Sequence, residues 1–218
     1  MERRMSLRLS RVALSLAGTE LIKPFDLEVG SGEIVTLMGP SGCGKSSLLS
    51  GIAGALQPPL AMTGEVFLDG LNLERIAPQQ RRMGRLFQDD LLFPHMSVIE
   101  NLLFGMARGP REERLRKAQG ALGEVGLDGF ANRPPHTLSG GQRQRASLMR
   151  SLLAEPAAML LDEPFNKLDQ DLRARLRSTT FELLRVRGTP TVLVTHDAED
   201  VPAGGRILKI ENGEVNNA

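Results

Sequence analysis

The 218-residue chain has no Trp and no Tyr, and aromatic residues make up only 4% of it. Platforms on which nucleic-acid bases stack are therefore scarce. Net charge is +1, so no global field draws the chain to a polyanion, and no nucleic-acid partner is expected. Cys43 is the single cysteine, which excludes an intrachain disulfide and a cysteine-built metal cage and fits a reducing compartment. No apolar run reaches membrane-spanning length, and Arg11, Glu20 and Lys23 interrupt the N-terminal region before a signal core could form. A cytoplasmic location is expected, with any membrane role exercised through a partner.

What remains is an ordinary globular balance of 41% hydrophobic and 24% charged residues, enough for one domain with a sizeable core. Alternation over Ser6–Leu16 (Leu7, Leu9, Val12, Leu14, Leu16) and over Phe25–Val29 predicts strands. Ile34–Met38, Ala157–Leu161 and Thr191–Thr195 are short apolar runs of the kind buried in parallel sheets. Gly64–Gly70 predicts a further strand, and Ile207–Val215 a hairpin turning at Asn212-Gly213. Helices are expected from Lys45 to Ala55, across Val98 to about Val125, and from Gly140 to Ala154, before Pro156. Strands alternating with helices favour an α/β fold with a parallel sheet. The basic stretch Arg108–Lys117 also carries Glu112 and Glu113 and is taken as a solvated helix face.

Chemistry concentrates in a few places. Gly39-Pro40-Ser41-Gly42-Cys43-Gly44-Lys45-Ser46-Ser47 follows a strand and opens a helix, the setting of a phosphate-binding loop. Glycines let successive backbone N–H groups and a helix N-terminus wrap the anion. Lys45 would meet the β- and γ-phosphates, and the Ser46 hydroxyl would ligate Mg²⁺. The apolar strand ending in Asp162-Glu163 supplies two carboxylates. Asp162 suits the metal, and Glu163 suits a general base facing the attacking water. Cys43 lines the loop and needs no chemistry of its own.

The stretch Leu138-Ser139-Gly140-Gly141-Gln142, opening a helix, resembles the signature of ATP-binding-cassette (ABC) ATPases. Other segments then match the family in order. Gln88 resembles the Q-loop glutamine, Leu168-Asp169 the D-loop, and His196, in Thr195-His196-Asp197, the switch histidine. The resemblance covers Ser6 to Val215. It implies a P-loop NTPase core with a parallel sheet, an antiparallel β subdomain and a helical subdomain. Residues 1–87 and 155–218 would form the core with the β subdomain, and residues 88–154 the helical subdomain carrying the signature.

The resemblance also implies a head-to-tail homodimer binding Mg-ATP at its interface. Ser139, Gly140, Gly141 and Gln142 of one copy would face the ATP held by the other's Lys45. Gln88 would sense Mg²⁺ and the attacking water, and His196 would contact the γ-phosphate. Two departures stand out. The position at which the family stacks an aromatic on adenine falls near Leu16, an aliphatic, so a stacking contribution of ~1–3 kcal/mol is in question. Asn166-Lys167 replaces the usual small residues before Leu168-Asp169.

Leu92-Phe93-Pro94-His95-Met96-Ser97-Val98-Ile99-Glu100-Asn101 is similar to the corresponding stretch of importer ATPases for small solutes. Ile34–Ser46 and Phe87–Phe93 are especially similar to thiamine-type importer ATPases of bacteria. The expected partners are therefore a transmembrane permease and, indirectly, a solute-binding protein. Leu91, Leu92, Phe93 and Met96 are candidates to line a groove for a permease segment, with ordinary core packing as the alternative for each. The chain ends shortly after Val215, so the regulatory domain that many importers add is expected to be absent. Two alternatives stay open: another membrane task such as lipoprotein release or cell division, and soluble iron–sulfur assembly.

Overall fold

The computed structural model describes residues 5–87, 89 and 91–218. The chain divides into two compact units. The first takes the chain up to Arg85 with Ala157–Glu163 and Arg177–Ala218, and the second takes Leu86–Pro156 with Pro164–Leu176.

The first unit holds two sheets. Strand β1 (Leu7–Leu16) pairs antiparallel with β2 (Thr19–Val29) and with β4 (Leu60–Leu68), and β4 pairs with β5 (Leu71–Asn72). The order is β2-β1-β4-β5. The predicted alternation in β1 is real, with Leu7, Leu9, Val12 and Leu14 buried. It slips at a bulge between Ser10 and Ala13, where Arg11 has φ 48°. Gly64 lies across this bulge at φ +86°, and a Cβ there would overlap the Arg11 carbonyl. Only glycine adopts that backbone without strain while leaving room for the neighbouring chain.

The second sheet runs β10-β9-β3-β8-β7-β6. Its strands are β3 (Ile34–Met38), β6 (Met83–Leu86), β7 (Ala158–Asp162), β8 (Thr191–Val194), β9 (Arg206–Glu211) and β10 (Glu214–Asn217). Strand β3 is parallel to β8 and β9, and β7 is parallel to β8. The three apolar runs picked out in the sequence are the buried centre of this sheet. Every residue of β7 and β8 is buried, as parallel strands covered on both faces require. Asn212 (φ 51°) and Gly213 (φ 78°) form the expected tight turn between the antiparallel β9 and β10.

Helix α1 (Lys45–Ile52) follows β3 and ends before Ala55, the end expected from the sequence, because Gly54 turns away at φ +75°. The second unit contains α2 (Val98–Gly105), α3 (Arg111–Glu124) and α4 (Gly140–Leu153). The single helical stretch expected across Val98–Val125 is thus two helices. Pro110 is the N-cap of α3, where a residue without an N–H is tolerated. Helix α5 (Gln170–Val186) begins in the second unit and ends in the first. Two elements had weak signals in the sequence. Strand β6 carries Gly84 and Arg85 among its four residues, and the buried side of α5 includes Thr180 between Leu176 and Leu184.

In the second unit, α2 opens with a capping box. The Ser97 side chain accepts from the Glu100 N–H, and Glu100 accepts from the Ser97 N–H at 2.7 Å. Asn101, fully buried, donates from Nδ2 to the carbonyls of Phe93 (3.1 Å) and Ser97 (3.0 Å) and accepts from the Phe93 N–H (2.8 Å). One amide side chain thereby fixes the segment from Phe93 to Ser97 in place of regular secondary structure.

Candidate active site

The loop from Gly39 to Gly44 joins β3 to α1. Gly42 and Gly44 take φ +82° and +96°, which L-residues adopt only under strain. Gly44 is also the N-cap of α1 and offers no side chain to its first turn. The N–H groups there are left for an external acceptor. The loop has little room to move. A Cβ on Gly44 would lie 2.8 Å from Leu14 Cδ2, and one on Gly39 would lie 2.9 Å from the Ile210 carbonyl oxygen and 3.1 Å from Cys43 Sγ. Ser41 and Ser46 are exposed, and Cys43 and Ser47 are half-buried.

Lys45 is buried, with its Nζ donating to the carbonyls of Gly39 and Pro40, each at 2.8 Å, and lying 3.8 Å from Cys43 Sγ. Its charge is held by neutral carbonyls, which phosphate oxygens can replace with a stronger, charge-assisted bond. The Ser46 hydroxyl donates to Asp162 Oδ1 at 3.0 Å. Asp162 is 3% exposed at the end of β7. Burial pushes its pKa above the usual value, opposed by the Ser46 hydrogen bond and the charges of Arg85 and Lys45. Ser46 and Asp162 together present hard oxygen donors, the chemistry Mg²⁺ prefers when phosphates complete its shell. Among the described residues, no three His, Cys, Asp or Glu are grouped to hold a metal by themselves.

Glu163 follows in the left-handed region at φ 47°, with its N–H donating to the Val194 carbonyl at 2.9 Å. Such a conformation costs a non-glycine residue of order 1–3 kcal/mol and clusters at functional sites. It turns the carboxylate towards His196, whose Nδ1 is 3.0 Å from Glu163 Oε1. His196 itself is exposed, its side chain at 64%. A buried set that sequence reasoning missed holds this histidine's loop. The Thr195 hydroxyl donates to Asp200 Oδ2 (3.1 Å) and accepts from the Asp197 N–H (3.1 Å), while Arg177 lies 3.9 Å from Asp200. The polar spacing of Thr195 and Asp200 after an apolar strand was the available signal.

The remaining expected residues lie on the second unit. Ser139 caps α4, its hydroxyl accepting from the Gln142 N–H at 3.3 Å, and Gln142 Oε1 accepts from the Ser139 N–H at 2.8 Å. Gln142 is therefore engaged in a capping box. Space around Gly140 is open, whereas a Cβ on Gly141 would come 2.7 Å from the Lys167 carbonyl oxygen. Asp169 Oδ1 accepts from the Leu172 N–H at 3.1 Å and so caps the start of α5. The signature segment and the segment around Asp169 are thus packed together at a glycine that lets their backbones touch. Gln88 lies outside the described residues.

Leu16 is at the end of β1, 42% exposed, paired with Thr19 and Leu60. It lies two residues beyond Leu14, the residue that touches the phosphate loop at Gly44. Of the four residues expected to line a groove, Leu92 is buried, a core residue whose apolar character serves packing. Phe104, not picked out in the sequence, is 62% exposed, and Leu91 is 52% exposed. Phe104 meets Phe93 edge-on at 4.7 Å, and the Arg150 guanidinium lies 5.3 Å from the Phe93 ring centre.

A model of the family described as ABC transporter matches residues 22–166. The chain is 44% identical over 206 residues to an uncharacterised ABC transporter ATP-binding protein, YnjD, of Escherichia coli K12, covering 94% of this chain and 95% of YnjD. It is 40% identical to the putrescine transport ATP-binding protein PotG of the same organism, covering 95% of this chain but 55% of PotG. It is also 40% identical to the sulfate/thiosulfate import ATP-binding protein CysA of Methylococcus capsulatus, covering 97% of this chain and 62% of CysA. The chain thus spans nearly all of YnjD but less than two thirds of PotG and CysA. Among solved structures, a dimeric post-hydrolysis state of the ATP-binding cassette MJ0796 bound to ADP and Pi aligns with a TM-score of 0.85 at 32% identity over 97% of both chains.

The contact at Gly44 makes a direct test of the loop. Gly44→Ala adds a Cβ against Leu14 and a strained φ, costing about 1–3 kcal/mol in the binding conformation. ATP affinity, measured by calorimetric titration, should fall about tenfold or more, each 1.4 kcal/mol being a factor of ten. Wild-type affinity in a folded Gly44→Ala protein would remove the loop from the nucleotide site.

Proposed function

The chain belongs to the ABC transporter family of ATP-hydrolysing subunits, and on that footing we propose that it powers import of a small solute through a separate membrane permease. The observation that carries the catalytic part is the group formed by Lys45, Ser46, Asp162, Glu163 and His196 around one phosphate loop. The loop N–H groups and Lys45 bind the β- and γ-phosphates. Ser46 and Asp162 would hold the Mg²⁺ that accompanies ATP, which would supply positive charge against the phosphates. Water attacks the γ-phosphorus as the bond to the β–γ bridging oxygen breaks. Glu163 accepts the water proton, so the products are ADP, phosphate and a proton. His196, fixed through the Thr195–Asp200 set, orients Glu163 and the γ-phosphate.

A second copy completes the site. Its α4 N-terminus, with Ser139 and Gly141, meets the γ-phosphate, a helix end again facing an anion. Gln88 senses Mg²⁺ and the water, and Asp169 couples the two copies. Leu16 takes the adenine face that an aromatic would otherwise cover. The dimeric cassettes with which the chain aligns support the pairing.

The permease reading rests on exposed Leu91 and Phe104 with half-buried Phe93 beside them, the Phe93 backbone held by Asn101 and its ring flanked by Arg150. Exposed aromatics and an arginine are what a protein partner's anchor residues meet. No helix among the described residues is long and apolar enough to cross a membrane. Attachment through a permease would place the chain at the inner face of the cell membrane. The relatives are named for putrescine and sulfate, so the thiamine-type resemblance is carried no further than a small solute.

Two measurements test this function. Glu163→Gln should lower phosphate release at least ~10²-fold, the scale of a positioned general base, while ATP binding persists. Near-normal turnover would contradict the assignment. Phe104→Asp, at an exposed position, should keep ATPase activity of the isolated chain and move the chain from the membrane fraction to the soluble fraction of its own cells. Undiminished membrane association would take Phe104 out of the docking surface.

A further inference from the structure

Arg85 belongs to none of the motifs above, yet its side chain reaches the metal-site side of the phosphate loop. From β6 its Nη2 donates to Ser50 Oγ at 2.7 Å and to the Ser46 carbonyl at 3.3 Å. The Ser50 hydroxyl donates to that same carbonyl at 2.9 Å. Arg85, Ser50 and Ser46 thus tie β6 to the first turn of α1, the turn that carries both Lys45 and the Ser46 hydroxyl. Ser46, whose carbonyl the guanidinium holds, bonds Asp162 Oδ1 through its hydroxyl at 3.0 Å, and β6 lies next to β7, the strand that ends at Asp162, so the Arg85 charge is one residue removed from that carboxylate. Burial lowers the Arg85 pKa, the Asp162 carboxylate raises it, and Arg85 in turn favours the ionised form of Asp162. The other charges acting on Asp162 are Glu163 and Lys45. A carboxylate that is 3% exposed requires compensation, and Lys45 is engaged by the Gly39 and Pro40 carbonyls.

We propose that Arg85 is a positioning residue for the metal site, clamping the first turn of α1 and supplying a fixed positive charge beside Asp162 against which a divalent cation must compete. This rests on the reading of Ser46 and Asp162 as the groups that hold Mg²⁺. A guanidinium cannot leave its charge behind, so its repulsion is present whenever the cation arrives. The benefit is a compensated Asp162 and an ordered α1 turn before nucleotide binds. The hydrolytic site is thereby preorganised while metal affinity is reduced, and the chain responds to Mg²⁺ at a higher concentration than it otherwise would.

The test follows binding of a fluorescent ATP analogue while Mg²⁺ is stepped, with no turnover required. Arg85→Met and Arg85→Gln should lower the half-saturating Mg²⁺ concentration about fivefold or more, the direction and scale expected on removing one nearby like charge. Arg85→Lys, which keeps the charge, should stay near wild type. Ser50→Ala should lower the thermal midpoint without moving the Mg²⁺ dependence. If the neutral variants fold only weakly, the Mg²⁺ dependence of their thermal midpoint in the presence of the analogue serves as the readout, and it should shift in the same direction. Unchanged half-saturation in both neutral variants, or an equal shift in Arg85→Lys, would overturn the proposal. Asp162→Asn separates this from the metal reading. If it keeps wild-type Mg²⁺ dependence, the assignment of Asp162 fails. If it loses that dependence while Arg85→Met matches wild type, only the role of Arg85 fails.

Discussion

The structure depends on one constraint: a run of backbone N–H groups must stay open to an anion while the chain around them is packed tightly enough not to collapse onto them. Backbone donors buried without partners are costly, so such a loop survives only at a helix start exposed to solvent. Here β3 delivers the chain and α1 receives it. Leu14 closes one side at Gly44, and Ile210 closes another at Gly39. The antiparallel sheet and the β9–β10 hairpin therefore act as walls for a loop that neither of them supplies. Lys45, bonded to two loop carbonyls, holds the shape, and on the proposed function phosphate oxygens would take their place.

The same constraint governs the carboxylate end. Strand β7 is fully buried and ends at Asp162, so its last residue is fixed by the sheet. Glu163 then breaks from the strand at a positive φ while its N–H stays bonded to Val194. That bond lets a strained residue persist, and it ties the Glu163 backbone to β8, the strand that leads into His196. Glu163 and His196 are thus set by adjacent strands of one parallel sheet. Catalytic groups at the carboxyl ends of such strands are the usual outcome of this architecture.

Much of this was legible because single residue types have recognisable jobs. Gly39 to Ser46 announced a phosphate loop through the types only that geometry tolerates, and the apolar runs of β3, β7 and β8 announced a buried sheet. The Asn212-Gly213 turn was readable for the same reason. Other features depend on contacts between distant residues and leave little trace in a local pattern. Strand β6 is the edge strand beside β7 and is tied to α1 by Arg85, a residue whose type argues against a strand on the core. Asn101 replaces a stretch of secondary structure with side-chain bonds to the Phe93–Ser97 backbone. Leu92 is turned inward and Phe104, which carried no expectation, is turned outward, a difference that composition does not specify. The break between α2 and α3 was missed although Gly109-Pro110 mark it, because Arg108–Lys117 was taken as one solvated helix face.

Lys45, Asp162, Glu163 and His196, proposed to act in hydrolysis, and the Ser139–Gln142 segment, proposed to face a partner's ATP, lie on separate compact units of the chain. A γ-phosphate bound at Lys45 would be enclosed only when a second copy brings its Ser139 and Gly141 to it. On this reading each chain carries two half-sites, and ATP joins two chains. The most direct measurement is the solution mass of Glu163→Gln, by light scattering, with and without Mg-ATP. The expected result is a monomer without nucleotide that becomes a dimer with ATP, and a return to monomer when Ser139→Arg is added to the same chain. A mass that stays monomeric at saturating Mg-ATP, with nucleotide shown to be bound, would contradict it.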